Sequence, residues 1–196
     1  MATTQERLIE TTRELLWERG YVGTSPKAIL HRAGVGQGSM YHHFTGKQDL
    51  ALAAIERTGA EMRTLVDRLL SGGGTAYERI AAYLLRERDV LRGCPVGRLT
   101  MDPDVIVSDE LRAPVDETIA YIERRIAEVV QEGVDSGELA SHLVPDEIAA
   151  AVVATVQGGY VLARASGNTA AFDAGTRGLL ALLSPTPPTT SGSTHH

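Results

Sequence analysis

The chain has 196 residues and a formal net charge of −6 at pH 7. That length suffices for one good core, or for a small module joined to a medium one, and the acidic balance excludes a chain that coats nucleic acid indiscriminately. A single cysteine, Cys94, excludes an intrachain disulfide framework and fits a reducing compartment.

The charge is unevenly spread. Residues 1–50 carry six Lys/Arg against five acids, and the remaining 146 residues carry 13 against 20. A near-neutral head on an acidic body turns the head toward any polyanion, because the body is repelled by it. No run of about 18 apolar residues occurs and the first residues contain no apolar stretch, so neither a membrane span nor a secretory signal is expected. The expected location is the cytoplasm.

The apolar pattern is helical almost throughout, with no convincing period-2 strand. Leu8, Thr12, Leu15 and Leu16 mark one face of a helix over 5–19, stopped by Gly20. Thr24-Ser25-Pro26 supplies a hydroxyl N-cap and a first-turn proline for a short helix ending at Ala33-Gly34. Val35-Gly36 links it to another short helix over 37–44, which Thr45-Gly46 breaks, and a longer helix covers 47–70. Ser71-Gly72-Gly73-Gly74 reads as a flexible joint. Helix resumes from Thr75 to about Arg92, breaks at Gly93-Cys94-Pro95-Val96-Gly97, and gives way to a short helix or turn reaching Met101. Ser108 opens a long amphipathic helix to about Asp135 with Ile119, Ile122, Ile126, Val129 and Val130 as its stripe. Pro114 is expected to kink its first turns or delay its start. Helices over about 145–166 and 169–183 follow, and the Pro/Thr/Ser-rich tail over 184–196 is expected to be disordered.

Three short helices within about forty residues, the last two joined by a glycine-containing turn, meet the helix-turn-helix plan. The third must grip the other two with one face and offer hydrogen-bonding groups with the other. Met40 and Phe44, four apart, suit the buried face. Gln37, Ser39, Tyr41, His42 and His43 fill the rest, and Gly38 has no side chain to hold the helix start away from a DNA backbone. Lys47, just beyond, is placed for a phosphate.

Gly20-Tyr21, Thr24, Ile29, Ala33-Gly34-Val35, Gly38-Ser39-Met40-Tyr41-His42-His43-Phe44 and Lys47, Asp49 and Leu50, at these spacings, resemble the DNA-binding domain of the TetR/AcrR repressors. The likeness is dense over residues 5–52; the rest of the chain resembles the family only in layout. It implies an all-α fold with a helix-turn-helix DNA-binding domain over 1–47 and a larger ligand-binding and dimerisation domain over 48–183. It also implies a homodimeric, ligand-responsive repressor. Such a protein binds a pseudo-palindromic double-stranded DNA operator and is released by a small apolar or aromatic effector, with no enzymatic activity and no cofactor.

Carried over position by position, Thr24 and Ser25 match phosphate-holding positions, and Lys27 is grouped with them. Gln37, Gly38 and Ser39 match the start of the recognition helix, Tyr41 an aromatic that meets phosphate or thymine, and His42 and Lys47 further backbone contacts. Gly36-Gln37 departs from the Ser-Lys or Ser-Arg of many relatives. The change removes a cation and introduces a glutamine able to read adenine through paired hydrogen bonds. Gly93-Cys94-Pro95-Val96 before an amphipathic helix resembles the LmrA/YxaF-type repressors, which sense antibiotics or flavonoid-like aromatics. Cys94, Tyr121, Gln157 and Tyr160 are the expected pocket residues. The helix over about 146–166 is apolar nearly all round and needs burial on several faces, which pairing it and 169–183 with a second subunit would supply.

Other readings stand beside these. Tyr41 could pack inside the small domain, and Cys94 could be a redox sensor between Arg92 and Arg98 or a buried apolar group. Arg164 could anchor an acidic ligand group, lie at an interface or be exposed. His42 and His43 point about 100 degrees apart on a helix, which disfavours a metal site. From another class, a small helical enzyme would need a nucleophile–base pair, a metal set or a phosphate loop. The sequence shows none of these, and Gly72-Gly73-Gly74 has no following Lys-Ser/Thr.

Overall fold

The computed structural model describes residues 2–184; the rest of the expected tail, with His195-His196, lies outside the described residues. Nine α-helices and one 3-10 helix make up the described part, without strands. Helix α1, Thr4–Arg19, opens on a capping box: the Thr3 hydroxyl accepts from the Glu6 amide while the Glu6 carboxylate accepts from the Thr3 amide. Helix α2, Pro26–Ala33, begins as its sequence dictates, with the Ser25 hydroxyl accepting from the Ala28 amide at 3.2 Å and proline at the first position. It ends at Gly34, whose left-handed backbone (φ 62°) few other residues adopt. The Arg7 guanidinium donates to the Ala33 and Gly34 carbonyls and so caps α2 from α1. Helix α3, Gln37–His43, follows, then α4, Lys47–Leu70.

Leu8, Leu15, Ile29, Ala33, Met40, Phe44 and Leu50 close a compact core inside α1–α4, with Met40 and Phe44 on the inner face as their spacing predicts. Leu16 of α1 and Ala51, Ala54 and Ile55 of α4 belong instead to the larger core of the body.

The body contains α5 (Ala76–Leu85), the 3-10 helix Gly97–Met101, α6 (Pro103–Val107), α7 (Asp109–Asp135), α8 (Pro145–Ser166) and α9 (Ala170–Leu183). Helix α7 runs between α4 and α8, and α9 packs on α8. Ile122, Ile126, Val129 and Val130 of the expected stripe are buried, and Ile119 is half-buried. The Glu138 carboxylate accepts from the Ala76 and Tyr77 amides, both at 2.8 Å, and caps α5 from more than sixty residues away in sequence.

Three expectations are corrected. Helix α5 ends at Leu85, not near Arg92, because the chain turns at Arg86 and the Arg88 guanidinium donates to the Tyr83 and Leu84 carbonyls, satisfying the helix end. Beyond Met101 lies a further helix, α6, capped by the Asp102 side chain with Pro103 at its first position. Pro114 does not delay α7, which starts at Asp109 under a Ser108 cap and keeps the proline in its interior. Helix α8 is also long and apolar enough by composition to cross a membrane, although Gln157 and Arg164 interrupt it. In this fold α8 packs on α7 and α9, with Ala149, Val152, Val153, Val156 and Tyr160 buried.

Candidate functional site

The core around Met40 leaves the opposite face of α3 turned outward. Gln37, Gly38, Ser39, His42 and His43 are all exposed, and Tyr41 is 54% exposed, which excludes the packed alternative for its ring. Ser25, the N-cap of α2, and Lys27 in its first turn join Gln37 and Tyr41 along one groove between the two helices. The structure thus brings together Ser25, Lys27, Gln37 and Tyr41, with Gly38, Ser39 and His42 on the same short exposed helix.

Two sequence-matched residues lie differently. Thr24 is buried, and its hydroxyl donates to the Gly20 carbonyl at 2.7 Å, so that hydroxyl holds the turn between α1 and α2 instead of reaching out. Lys47 is half-buried, its Nζ 3.8 Å from the centre of the Tyr21 ring. Burial pushes the Lys47 pKa down, with Asp102 and Asp104 acting in the opposite sense. Of the arginines in this region, Arg32 pairs with Glu18 at 2.8 Å, and the Arg7 guanidinium is held at the end of α2.

The small helical unit is tied to the body at three places along α1 and its end. Trp17 donates its indole N–H to the Gly93 carbonyl at 3.0 Å, which makes it a packing residue. Arg92 stacks 3.6 Å from the Trp17 ring centre and pairs with Glu14 at 2.5 Å. Asp102, 7% exposed, accepts from the Val22 amide at 3.0 Å and from the Asp104 amide at 3.2 Å. Gly20, at φ 74°, lets the chain pass this carboxylate, since a Cβ there would lie 2.8 Å from Asp102 Oδ2.

The same loop, residues 86–103, walls two cavities. The larger, about 390 Å³, lies between the end of α1, the 3-10 helix and α8, and is lined by Arg19, Cys94, Arg98, Asp102, Gln157, Tyr160 and Arg164 among others. The smaller, about 250 Å³, lies between α1, α4 and the loop, with Trp17, Met62, Leu65, Arg86, Arg88 and Tyr160 on its walls. Gly93, Cys94 and Tyr160 line both. Cys94, Gln157 and Tyr160 are therefore brought together. Tyr121 is not: it lies on the seam of α4 and α7, where its hydroxyl donates to the Asp67 carboxylate at 2.7 Å. Cys94 is buried, and its Sγ accepts from the Gly97 amide at 3.2 Å.

Comparison with known proteins bears on both halves. Residues 8–54 match the family described as bacterial regulatory proteins, tetR family, and residues 75–179 match the tetracyclin repressor-like C-terminal domain. The chain belongs to the TetR family. Among curated relatives of this TetR-family chain, the transcriptional regulator AcuR of Cereibacter sphaeroides is 31% identical over 74% of this chain and 69% of its own. The HTH-type transcriptional repressor NemR of Escherichia coli K12 is 27% identical, over 66% and 68%. A crystal structure of a regulatory protein TetR from Rhodobacter sphaeroides superposes with a TM-score of 0.83 at 27% identity, covering 92% of this chain and 98% of that one.

Membership decides between the two classes the sequence left open, in favour of a transcriptional regulator with a helix-turn-helix DNA-binding unit over a small helical enzyme. The TetR-type body also holds residues that sequence reasoning missed: Asp102, Arg86, Arg88 and Arg98. Read as one helix to Arg92, residues 86 and 88 lie about 200° apart around its axis. Only the break after Leu85 gathers them at a cavity.

Proposed function

We propose that this TetR-family regulator is a homodimeric repressor that binds a pseudo-palindromic operator and is released by a small effector with an apolar or aromatic body. The observation that carries the reading is the outward face of α3: Gln37, Ser39 and Tyr41 are exposed on a helix whose other side, Met40, is fully buried. Base edges fall to Gln37 and Ser39, while Ser25, Lys27, Tyr41, His42 and Lys47 serve the phosphates and Gly38 permits close approach. Thr24 contributes by fixing the turn that presents Ser25. The division into a DNA-binding unit over 1–47 and a body over 48–183 belongs to this proposal, as does a cytoplasmic site of action.

Dimerisation through α8 and α9 is supported by their outer faces. Val161 is 67% exposed and Leu182 83% exposed, beside exposed small residues Ala150, Ala151, Ala154 and Gly158 that let a second helix approach closely. Two recognition helices about one DNA turn apart (~34–36 Å) would then address the two halves of the operator. The cavities walled by residues 86–103 touch the segment that holds α1, so a ligand there would bias one placement of the readers over another.

The test is a gel shift with the region upstream of the chain's own gene across a salt series. A sequence-selective, salt-sensitive band is expected; its absence at every salt concentration would refute the reading.

A further inference from the structure

We propose that the effector is an organic carboxylate, held by Arg86 in the smaller cavity with its apolar body against Trp17, Met62, Leu65 and Tyr160. The inference deepens the effector reading above and rests on it. Arg86 Nε is buried without a hydrogen-bond partner, and no ion pair among the described residues involves this side chain. Its neighbour Arg88 donates from Nη2 to the Tyr83 and Leu84 carbonyls and from Nε to the Arg86 carbonyl at 3.3 Å, and leaves Nη1 buried and unpartnered as well. Two guanidiniums thus line one cavity, and no ion pair among the described residues involves either.

Neither acid on the same cavity, Glu61 or Asp89, forms an ion pair with Arg86 or Arg88. Glu61 is paired with Arg13, and Asp89 Oδ1 accepts from the Arg92 amide at 3.1 Å. Burial pushes the Arg86 pKa down and the charge of Arg88 pushes it further, as expected of a cation awaiting a countercharge. Arg79 Nε is buried without a partner too, but its guanidinium already pairs with Glu132 at 2.5 Å; Arg98 Nε, likewise buried and unpartnered, lies at the larger cavity, with Arg164 and Asp102 as charged neighbours of opposite sign. Arg86 and Arg88 each bring a buried, unpartnered nitrogen to one cavity that also has apolar walls, and Arg86 is the one whose guanidinium has no hydrogen bond to a helix end.

Arg86 is half-buried, and a guanidinium that keeps a nitrogen buried and unpartnered carries a cost that folding retains only where something offsets it. A guanidinium offers two parallel donors in a plane, matching a carboxylate. The walls supply indole, thioether, leucine and phenol surface for an acyl or aryl chain, which inorganic phosphate lacks.

The experiment uses the full chain and thermal unfolding, with sodium benzoate, phenylacetate and hexanoate as probes, their amides as neutral counterparts, and inorganic phosphate as the anion without a body. Carboxylates are expected to raise Tm in a concentration-dependent way, and the amides and phosphate to leave it unchanged. Arg86→Met should weaken carboxylate binding about tenfold or more, and Arg86→Lys should bind more weakly than wild type but better than Arg86→Met. Without ligand, Arg86→Met should melt at or above the wild-type temperature, since it removes a half-buried charge with no ion-pair partner.

No shift with any carboxylate, equal shifts with the amides, or a markedly lower Tm for unliganded Arg86→Met would each overturn the assignment. Operator binding measured alongside separates the two readings. Carboxylate binding through Arg86 that leaves the operator bound keeps this site and refutes its effector role. Amides that bind and release the operator keep the effector role and refute the anion.

Discussion

Replacing Asp102 with alanine removes the acceptor of two backbone amides at once, those of Val22 and Asp104. A hydrogen bond to a charged acceptor contributes about 1.5–3 kcal/mol, and loss of a helix N-cap about 1 kcal/mol. Val22 is exposed enough for water to replace part of its bond, so the lower end applies to it. The two losses together come to about 2–3 kcal/mol. For a chain of this size that lowers Tm by about 4–12 °C. Asp102→Asn retains one acceptor oxygen and turns a donor toward the other amide, and it should fall between the two. Scanning calorimetry on the three proteins at one concentration reads the series directly. An Asp102→Ala protein within about 0.5 kcal/mol of wild type would show that the carboxylate does not hold the α1–α2 turn to the body.

Tyr41→Ala should weaken operator binding about tenfold or more while leaving the helical far-UV spectrum and the dimer unchanged; collapse of the spectrum, or an unaltered Kd, contradicts the outward role of this ring. Val161→Glu places a charge on the outer face of α8 and should convert the dimer to monomers with loss of operator affinity, read by sedimentation equilibrium; an unchanged mass excludes that face as the interface. Burial opposes the charge on Glu138, but the Tyr77 and Ala76 amides prevail and hold its carboxyl below the usual range. Because the folded pKa lies below the unfolded one, its stabilisation is complete above the unfolded value and fades as pH falls through the folded value. Glu138→Gln should therefore cost about 1 kcal/mol at pH 7, with the gap closing in acid; urea melts showing a constant gap down to about pH 3 would contradict this.

The reader was legible in the sequence because its determinants are local. Ser25-Pro26 starts α2 and Gly34 ends it, and the spacing of Met40 and Phe44 fixes which side of α3 faces out. What escaped depends on distant partners. The end of α5 is set by Arg88, which reaches back to carbonyls of a helix it does not belong to, so no stop signal stands at residue 85. Asp102 reads as a loop acid until the fold brings Val22 to it across eighty residues. Tyr121, expected in the pocket, lies outside it. Its neighbour Ile122 takes the core-facing position, and a step of about 100° per residue turns Tyr121 to the seam with α4. Thr24 matches a family position by spacing, yet its hydroxyl is spent on Gly20.

The two cores have no linker between them. Helix α1 gives Leu8 and Leu15 to one and Leu16 to the other, and α4 gives Leu50 to one and Ala51, Ala54 and Ile55 to the other. Two rods therefore run through both compartments, and the compartments should melt as one cooperative unit. Amides in α2 and α3 should then exchange with deuterium only through openings that also disturb the body. A chimera grafting another reader onto this body would have to be cut within a helix, matching side chains on both faces of α1 at once.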